Sequence, residues 1–266
     1  MWSVRLKGFL LSVIVAITAQ SATASRLNLT PVLGFQEPEA DVIGQAYSLS
    51  SPVLLYHELH YFSDDGRHHR VKYYSANGEL LAEKDIDYSR SLLTPAFTQS
   101  NFNTGEMMSI DWQDNALSIT HQQAANQQPD TKLIEPRYPL VIDAGFDHFI
   151  REHWQTLTQG KVHQFHFPVA ARMGLIKLRL KRFDCSEPQE GYYCFRIEAN
   201  NALLRWLLEP IELTYSITPT YTQDEQGQQK QVVRLERFRG LANLNDSSGS
   251  GMNVDIRYRY GKTWVF

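Results

Sequence analysis

The chain has 266 residues, 42% of them hydrophobic, and its 26 Lys and Arg against 29 Asp and Glu give a formal net charge of −3. Such a composition supports a buried core and excludes a disordered chain. The acidic balance leaves no electrostatic footprint for nucleic acid.

Taken in chain order, the first element is a leader. Arg5 and Lys7 form a short positive region, Gly8 to Ile17 carries no charge, and Ala22-Thr23-Ala24 supplies the small-x-small pattern of a signal peptidase site. The apolar run is about half the ~20 residues that a membrane-spanning helix needs. Residues 1–24 therefore read as a cleavable signal peptide of bacterial style. With no Cys at the cleavage point to carry a lipid, the expected destination is the periplasm, with the outer membrane as the alternative. Residues 25–266 then form the mature chain, with 24 basic against 29 acidic residues, a balance of about −5. They read as a single antiparallel β-rich domain.

Residues 25–52 hold Pro31, Pro38 and Pro52 and predict an extended arm or one short early strand. Three antiparallel strands follow at 53–62, 69–75 and 79–88. Asp64-Asp65-Gly66 marks the first turn, and Asn77-Gly78, the strongest hairpin signal in the chain, marks the second. In the third strand Leu80, Ala82, Ile86 and Tyr88 share one face, and only Lys84 breaks the pattern. Glu83, Asp85 and Asp87 take the other face. A further hairpin is expected at 107–112 and 117–121 across Asp114-Asn115, and the polar stretch 122–131 reads as a loop.

Ala144 to Gln159 is the one convincing helix, with Asp143 as its N-cap and Gly160 as its stop. Phe146, Phe149, Ile150, Trp154 and Leu157 fall on one face, which must be buried against a sheet. More strands follow at 176–183, 192–197, 211–217, 232–239 and 254–260, with a short second helix at 202–208. The fold expected is α+β and mainly β: a curved, half-barrel-like antiparallel sheet of roughly ten strands packed on one or two helices.

Cys185 and Cys194 are the only cysteines. In an oxidising compartment such an isolated pair is expected to be bridged. The intervening Ser186 to Gly191 reads as a turn, so the bridge would staple a hairpin tip and stabilise it by about 2–3 kcal/mol. A Cys-x-x-Cys redox spacing is absent.

Catalytic signals are weak. His57-Glu58-Leu59-His60 lacks the zinc-protease spacing, and on a strand its two histidines point to opposite faces. His163 and His166 share that fault. Gly249-Ser250-Gly251 lacks the frame of a nucleophile elbow. Asn243 to Gly249 only loosely suggests a calcium loop. Asp85, Asp87, Asp143 and Asp147 offer carboxylates for acid–base work, but nothing in the sequence brings two together. No catalytic residue, metal site or cofactor is assigned. Lys177, Arg179 and Lys181 alternate along a strand about 7 Å apart, a spacing that suits phosphates or anionic head groups. The alternative is an outer face paired with acidic neighbours such as Glu83, Asp85 and Asp87.

The last eight residues, Arg259 to Phe266, resemble the C-terminal assembly signal of outer-membrane barrels, and Val254, Ile256, Tyr258 and Tyr260 alternate as a barrel strand does. Residues 56–88, together with Val141-Ile142-Asp143-Ala144-Gly145-Phe146-Asp147, resemble an uncharacterised family of exported proteobacterial proteins, which implies export. In organisation the chain is similar to periplasmic lipoprotein carriers, where a curved sheet wraps helices around an apolar cavity. The leading expectation is a soluble periplasmic binding or carrier protein for a lipid or other apolar molecule, without enzymatic activity. Phe146, Phe149, Ile150 and Trp154 would line its cavity, or else serve as plain core. Contact with an envelope protein or a membrane surface is a further expectation. The alternatives are an outer-membrane barrel and a periplasmic hydrolase.

Overall fold

The computed structural model describes residues 40–202, 205, 209–223, 229–246 and 249–261. They fall within one unit, Leu33–Phe266. The expected leader, most of the opening segment and of 202–208, and the last five residues of the C-terminal pattern lie outside the described residues.

Fourteen strands form one antiparallel sheet. They are β1 Val42–Ser48, β2 Leu54–Phe62, β3 His68–Ser75, β4 Leu80–Asp87, β5 Ala96–Asn101, β6 Glu106–Gln113, β7 Ala116–Gln122, β8 Asp130–Ile134, β9 His163–Val169, β10 Gly174–Phe183, β11 Tyr192–Ala199, β12 Ile211–Gln223, β13 Gln229–Asn245 and β14 Gly251–Tyr260. The sheet order runs from β8 down to β1, then β14 down to β9. Two meanders, β1–β8 and β9–β14, are thus joined along β1 and β14. The sheet is unclosed, and β8 and β9 are its edges.

The expected mainly β architecture with few helices is present, but the strand count is fourteen rather than about ten. β1 is the short early strand that the opening segment allowed, and the strands not expected are β5, β8 and β9. Each hides its alternation for a physical reason. β5 buries Gln99 and Asn101 beside Phe97, so its inward face does not read as apolar. β8 is exposed along almost its whole length and shows no buried face. β9 carries Pro168, tolerated because the strand is an edge. Its free side is covered by the incoming chain: His166 N donates to Pro139 O at 2.7 Å, and Val141 N to His166 O at 2.9 Å.

The hairpin signals hold. The turns after β2, β3 and β6 carry Gly66, Gly78 and Asp114 at positive φ, the backbone that tight hairpin turns require. On the outward side of β3 and β4, Arg70 Nε lies 2.7 Å from Asp85 and Lys72 Nζ 4.0 Å from Glu83.

The expected helix is split into α1, Gly145–Glu152, and α2, Trp154–Thr158. The junction is His153, whose ring nitrogen lies 3.0 Å from Phe149 O. The backbone N–H of His153 shares that acceptor. Asp143 is not the N-cap: that position is Ala144, with no side-chain cap bond. Phe149, Ile150 and Leu157 are buried against Phe165, Leu180, Phe195, Leu213 and Tyr215 of β9–β12. Each such side chain contributes about 1.5–3 kcal/mol. Asp147 then fixes the helix to the sheet, accepting from Arg151 Nε and from Tyr215 OH, each at 2.8 Å. Burial opposes ionisation of Asp147, but the Arg151 guanidinium and the Tyr215 hydroxyl outweigh it and hold the carboxyl below its ordinary value. A second core cluster joins Ile86, Phe97, Ile110, Leu117 and Ile119 to Leu140 and Ile142 ahead of α1.

Candidate functional site

Two side-chain bonds tie β13 of the second meander to β5 and β6 of the first. Gln99 Nε2 on β5 donates to Asn243 O on β13 at 2.7 Å, and Asn245 Nδ2 on β13 donates to Glu106 Oε2 on β6 at 2.8 Å. β5 and β13 stand six places apart in the sheet order. In a flat sheet that is about 29 Å. Beside these bonds lies a cavity of about 930 Å³. Its apolar lining includes Phe97, Met108, Phe167, Val169, Ala170 and Met173. The rest is polar and includes Glu106, His121, Asp130, Asp143, Asn243 and Asn245.

Local structure explains how the polar wall is built. Glu106 opens β6 directly after Gly105, which sits at φ +69°. A Cβ on Gly105 would lie 2.4 Å from Ala125 Cβ and 2.6 Å from Ala125 N, so only glycine lets the 123–127 loop lie over this turn and form the rim. The Glu106 carboxylate is buried and fully engaged. Oε1 lies 2.9 Å from His121 Nε2, and Oε2 accepts from both Asn101 Nδ2 and Asn245 Nδ2 at 2.8 Å. Gln99 Nε2 in turn donates to Asn101 Oδ1 at 2.9 Å. A neutral His121 donating through Nε2 keeps Nδ1 as an acceptor. The arrangement can present hydrogen bonds to a polar group, and it can move a proton at His121.

Asp143 supplies the third carboxylate. It takes a left-handed backbone, φ +42°, and binds Lys84 Nζ at 2.8 and 3.0 Å. Lys84 also lies 5.2 Å from the Phe97 ring centroid. The inward residue that interrupts the β4 pattern is thereby neutralised.

A second polar chain runs through the buried side of β2, β3 and β14. Tyr258 OH donates to Glu58 Oε2 at 3.2 Å, His60 Nε2 lies 3.3 Å from the same oxygen, and His60 Nδ1 lies 3.0 Å from His69 Nε2. Burial, with His60, Lys84 and His148 nearby, holds His69 well below its ordinary pKa. Burial and the adjacent Glu58 carboxylate push Tyr258 well above its own.

The residues singled out by sequence are placed as follows. Phe149 and Ile150 are buried core, and Phe146 and Trp154 are partly buried against it. The 930 Å³ cavity is lined by other residues. Cys185 and Cys194 are bridged, with Cα atoms 5.3 Å apart, at the end of the β10–β11 hairpin. Arg179 and Lys181 pair with Glu198 of the next strand, Lys181 Nζ at 3.1 Å, and Lys177 is exposed. Their acidic neighbour is thus on β11, not the stripe of β4. Asp85, Asp143 and Asp147 each pair with a separate cation and do not meet one another. Asp87 accepts from Ser89 N at 2.8 Å. Asn245 Nδ2 donates to Glu106.

Sequence reasoning misses Gln99, Asn101, Glu106, His121 and Asn245. The signal that finds them is phase: Gln99 and Asn101 follow Phe97, and Glu106 precedes Met108 and Ile110, all at the two-residue period of inward positions.

Among the described residues no group of three or more His, Cys, Asp or Glu gathers in a metal-binding arrangement. No described helix is long and apolar enough to cross a membrane, which says nothing of strands. Comparison with protein-family models, curated proteins and solved structures gave no match.

Proposed function

We propose that this chain is a non-enzymatic binding or carrier protein of the periplasm, and that its ligand is lipid-like, with an apolar body and a hydrogen-bonding or cationic head. One observation carries this reading: a cavity of about 930 Å³ is lined both by apolar side chains, Phe97, Met108, Phe167 and Val169, and by polar ones, His121, Asp130 and Asn243. That volume lies in the range of small-molecule sites. In this reading the cross-sheet bonds of Gln99 and Asn245 mark a half-barrel-like curvature, and that curvature encloses the ligand. The disulfide agrees with an oxidising compartment, and the leader at 1–24 supplies the route to it.

The deciding experiment is native mass spectrometry with organic extraction on protein purified from the periplasm without detergent. The expected result is a stoichiometric amphipathic ligand that is lost from Ala242→Trp, which fills the cavity. An apo protein that takes up nothing from a total lipid extract sinks the carrier reading. So does protein recovered only from the outer membrane with detergent.

A hydrolase is the second reading, favoured by the Glu106–His121 pair facing the same cavity. It predicts turnover of an extracted ligand that His121→Gln abolishes while the fold is kept.

A further inference from the structure

Charge is unevenly divided over the sheet. Strands β10–β14 carry eleven Lys and Arg against four Asp and Glu, a balance of +7, while β2–β8 carry four against seven, a balance of −3. The chain as a whole is −3. The positive charge lies mainly on one face. Along β10–β14 the residues Leu180, Phe195, Leu213, Phe238 and Ile256 pack into the cores, and alternate residues point the other way.

On that outward face three carboxylates are each shared by two cations. Glu198 serves Arg179 and Lys181. Glu212 serves Arg196 at 2.6 Å and Arg239 at 3.6 Å. Asp255 serves Arg237 at 2.6 Å and Arg257 at 3.5 Å. Glu187, itself 82% exposed, also reaches Arg237 at 3.6 Å. Lys177 and Arg259 are exposed, with no ionic partner among the described residues. Register sets Lys181 directly opposite Arg196, and Arg237 directly opposite Arg257. Like charges in such positions destabilise a sheet, and an external anion relieves them.

We propose that the outward face of β10–β14 docks on an anionic phospholipid surface. The cations stand on β10 and β11 and on β13 and β14, flanking β12, which carries none; along a strand they are about 7 Å apart, and the five strands span roughly 19 Å. Such an array meets a plane of phosphate head groups. Guanidinium groups with spare donors suit phosphate oxygens. The inference stands apart from the cavity and does not depend on what the cavity holds.

The test is co-sedimentation of the intact mature protein with vesicles of phosphatidylglycerol and phosphatidylcholine, against phosphatidylcholine alone, at low and high salt. Binding is expected only to the anionic vesicles, weakening as salt rises. Lys177→Gln and Arg259→Gln break no ion pair seen here, and each lowers affinity about fivefold. Lys132→Gln, on β8, leaves it unchanged. Circular dichroism melting confirms that all three variants fold. Equal binding to both vesicle types, no binding to either, or full binding by a variant carrying both Lys177→Gln and Arg259→Gln overturns the proposal. Tighter binding to duplex DNA than to anionic vesicles at matched salt also overturns it, by replacing the membrane with another polyanion.

Discussion

The Lys84 ammonium lies 2.8 Å from one carboxylate oxygen of Asp143 and 3.0 Å from the other, although 59 residues separate the two. Lys84 is 3% exposed at its side chain, so the pair is the lysine's substitute for water. Removing one partner of a buried pair costs about 3–5 kcal/mol, whereas replacing both by neutral groups costs far less. Asp143→Asn keeps a residue that tolerates the left-handed backbone and is expected to destabilise by about 3 kcal/mol. Adding Lys84→Met to it should recover most of that loss. Urea denaturation of the two single variants and the double variant measures this. Additive losses in the double variant would show that the pair is not coupled.

Acid should weaken the fold through its buried histidines. His69 is buried, and burial holds its pKa well below the ordinary 6.5. His57, His148 and His163 are lowered too, each chiefly by burial. Each lowered histidine binds a proton in the unfolded chain before it does so in the folded one. Its contribution to stability is therefore complete above about pH 6.5 and is lost as pH falls towards the folded pKa. The slope is about 1.4 kcal/mol per pH unit for each proton of difference. Urea midpoints between pH 7.5 and 5 are expected to fall, less steeply in His69→Gln. A flat profile in the wild-type chain would refute this.

Gly145 is fixed by a close approach. A Cβ there would lie 2.2 Å from the Leu93 carbonyl oxygen, which accepts from Ile142 N at 3.0 Å. The clash is with backbone, so a rotamer change cannot relieve it. Gly145→Ala is expected to cost about 2–3 kcal/mol and to loosen α1 from its seat, seen as faster hydrogen exchange at Phe149 and Ile150. Unchanged exchange would mean that the 91–94 turn yields freely.

Reduction of Cys185–Cys194 reopens a loop of sequence separation 9. The chain-entropy account puts the loss at about 2–3 kcal/mol. Chemical denaturation with and without reductant checks it, and a double Cys→Ser variant should match the reduced protein. A loss below about 0.5 kcal/mol would show that the β10–β11 pairing holds the hairpin unaided.

Much of the architecture is legible in the sequence, and what escapes does so for identifiable causes. Asn77-Gly78 and the alternation of Leu80, Ala82 and Ile86 locate a hairpin because turn chemistry and burial agree. β5 escapes because Gln99 and Asn101 lie on its inward side beside Phe97, where Gln99 Nε2 donates to Asn243 O, 144 residues on, and Asn101 Nδ2 to Glu106. No local pattern announces such partners. The aromatic stripe of α1 and α2 is legible as a buried face, but the period cannot distinguish a core from a ligand wall. The cavity is built instead from strand residues that look polar and unremarkable until β13 is brought beside β5 and β6. The Cys185–Cys194 bridge is legible because two strands and a turn place it.

The seam between β1 and β14 has a consequence for assembly. Val42 meets Tyr260 and Ser48 meets Val254, contacts between the first and last described strands. Each meander can zip up from its own hairpins as the chain emerges, at small loop-closure cost, but the two halves have no strand-to-strand junction until β14 arrives. Until then β1 and β13 each offer an unpaired edge to any neighbouring chain. The interval between synthesis of β1 and of β14 is therefore the period in which this protein most needs a chaperone, and a chain stopped short of Gly251 would leave that window permanently open.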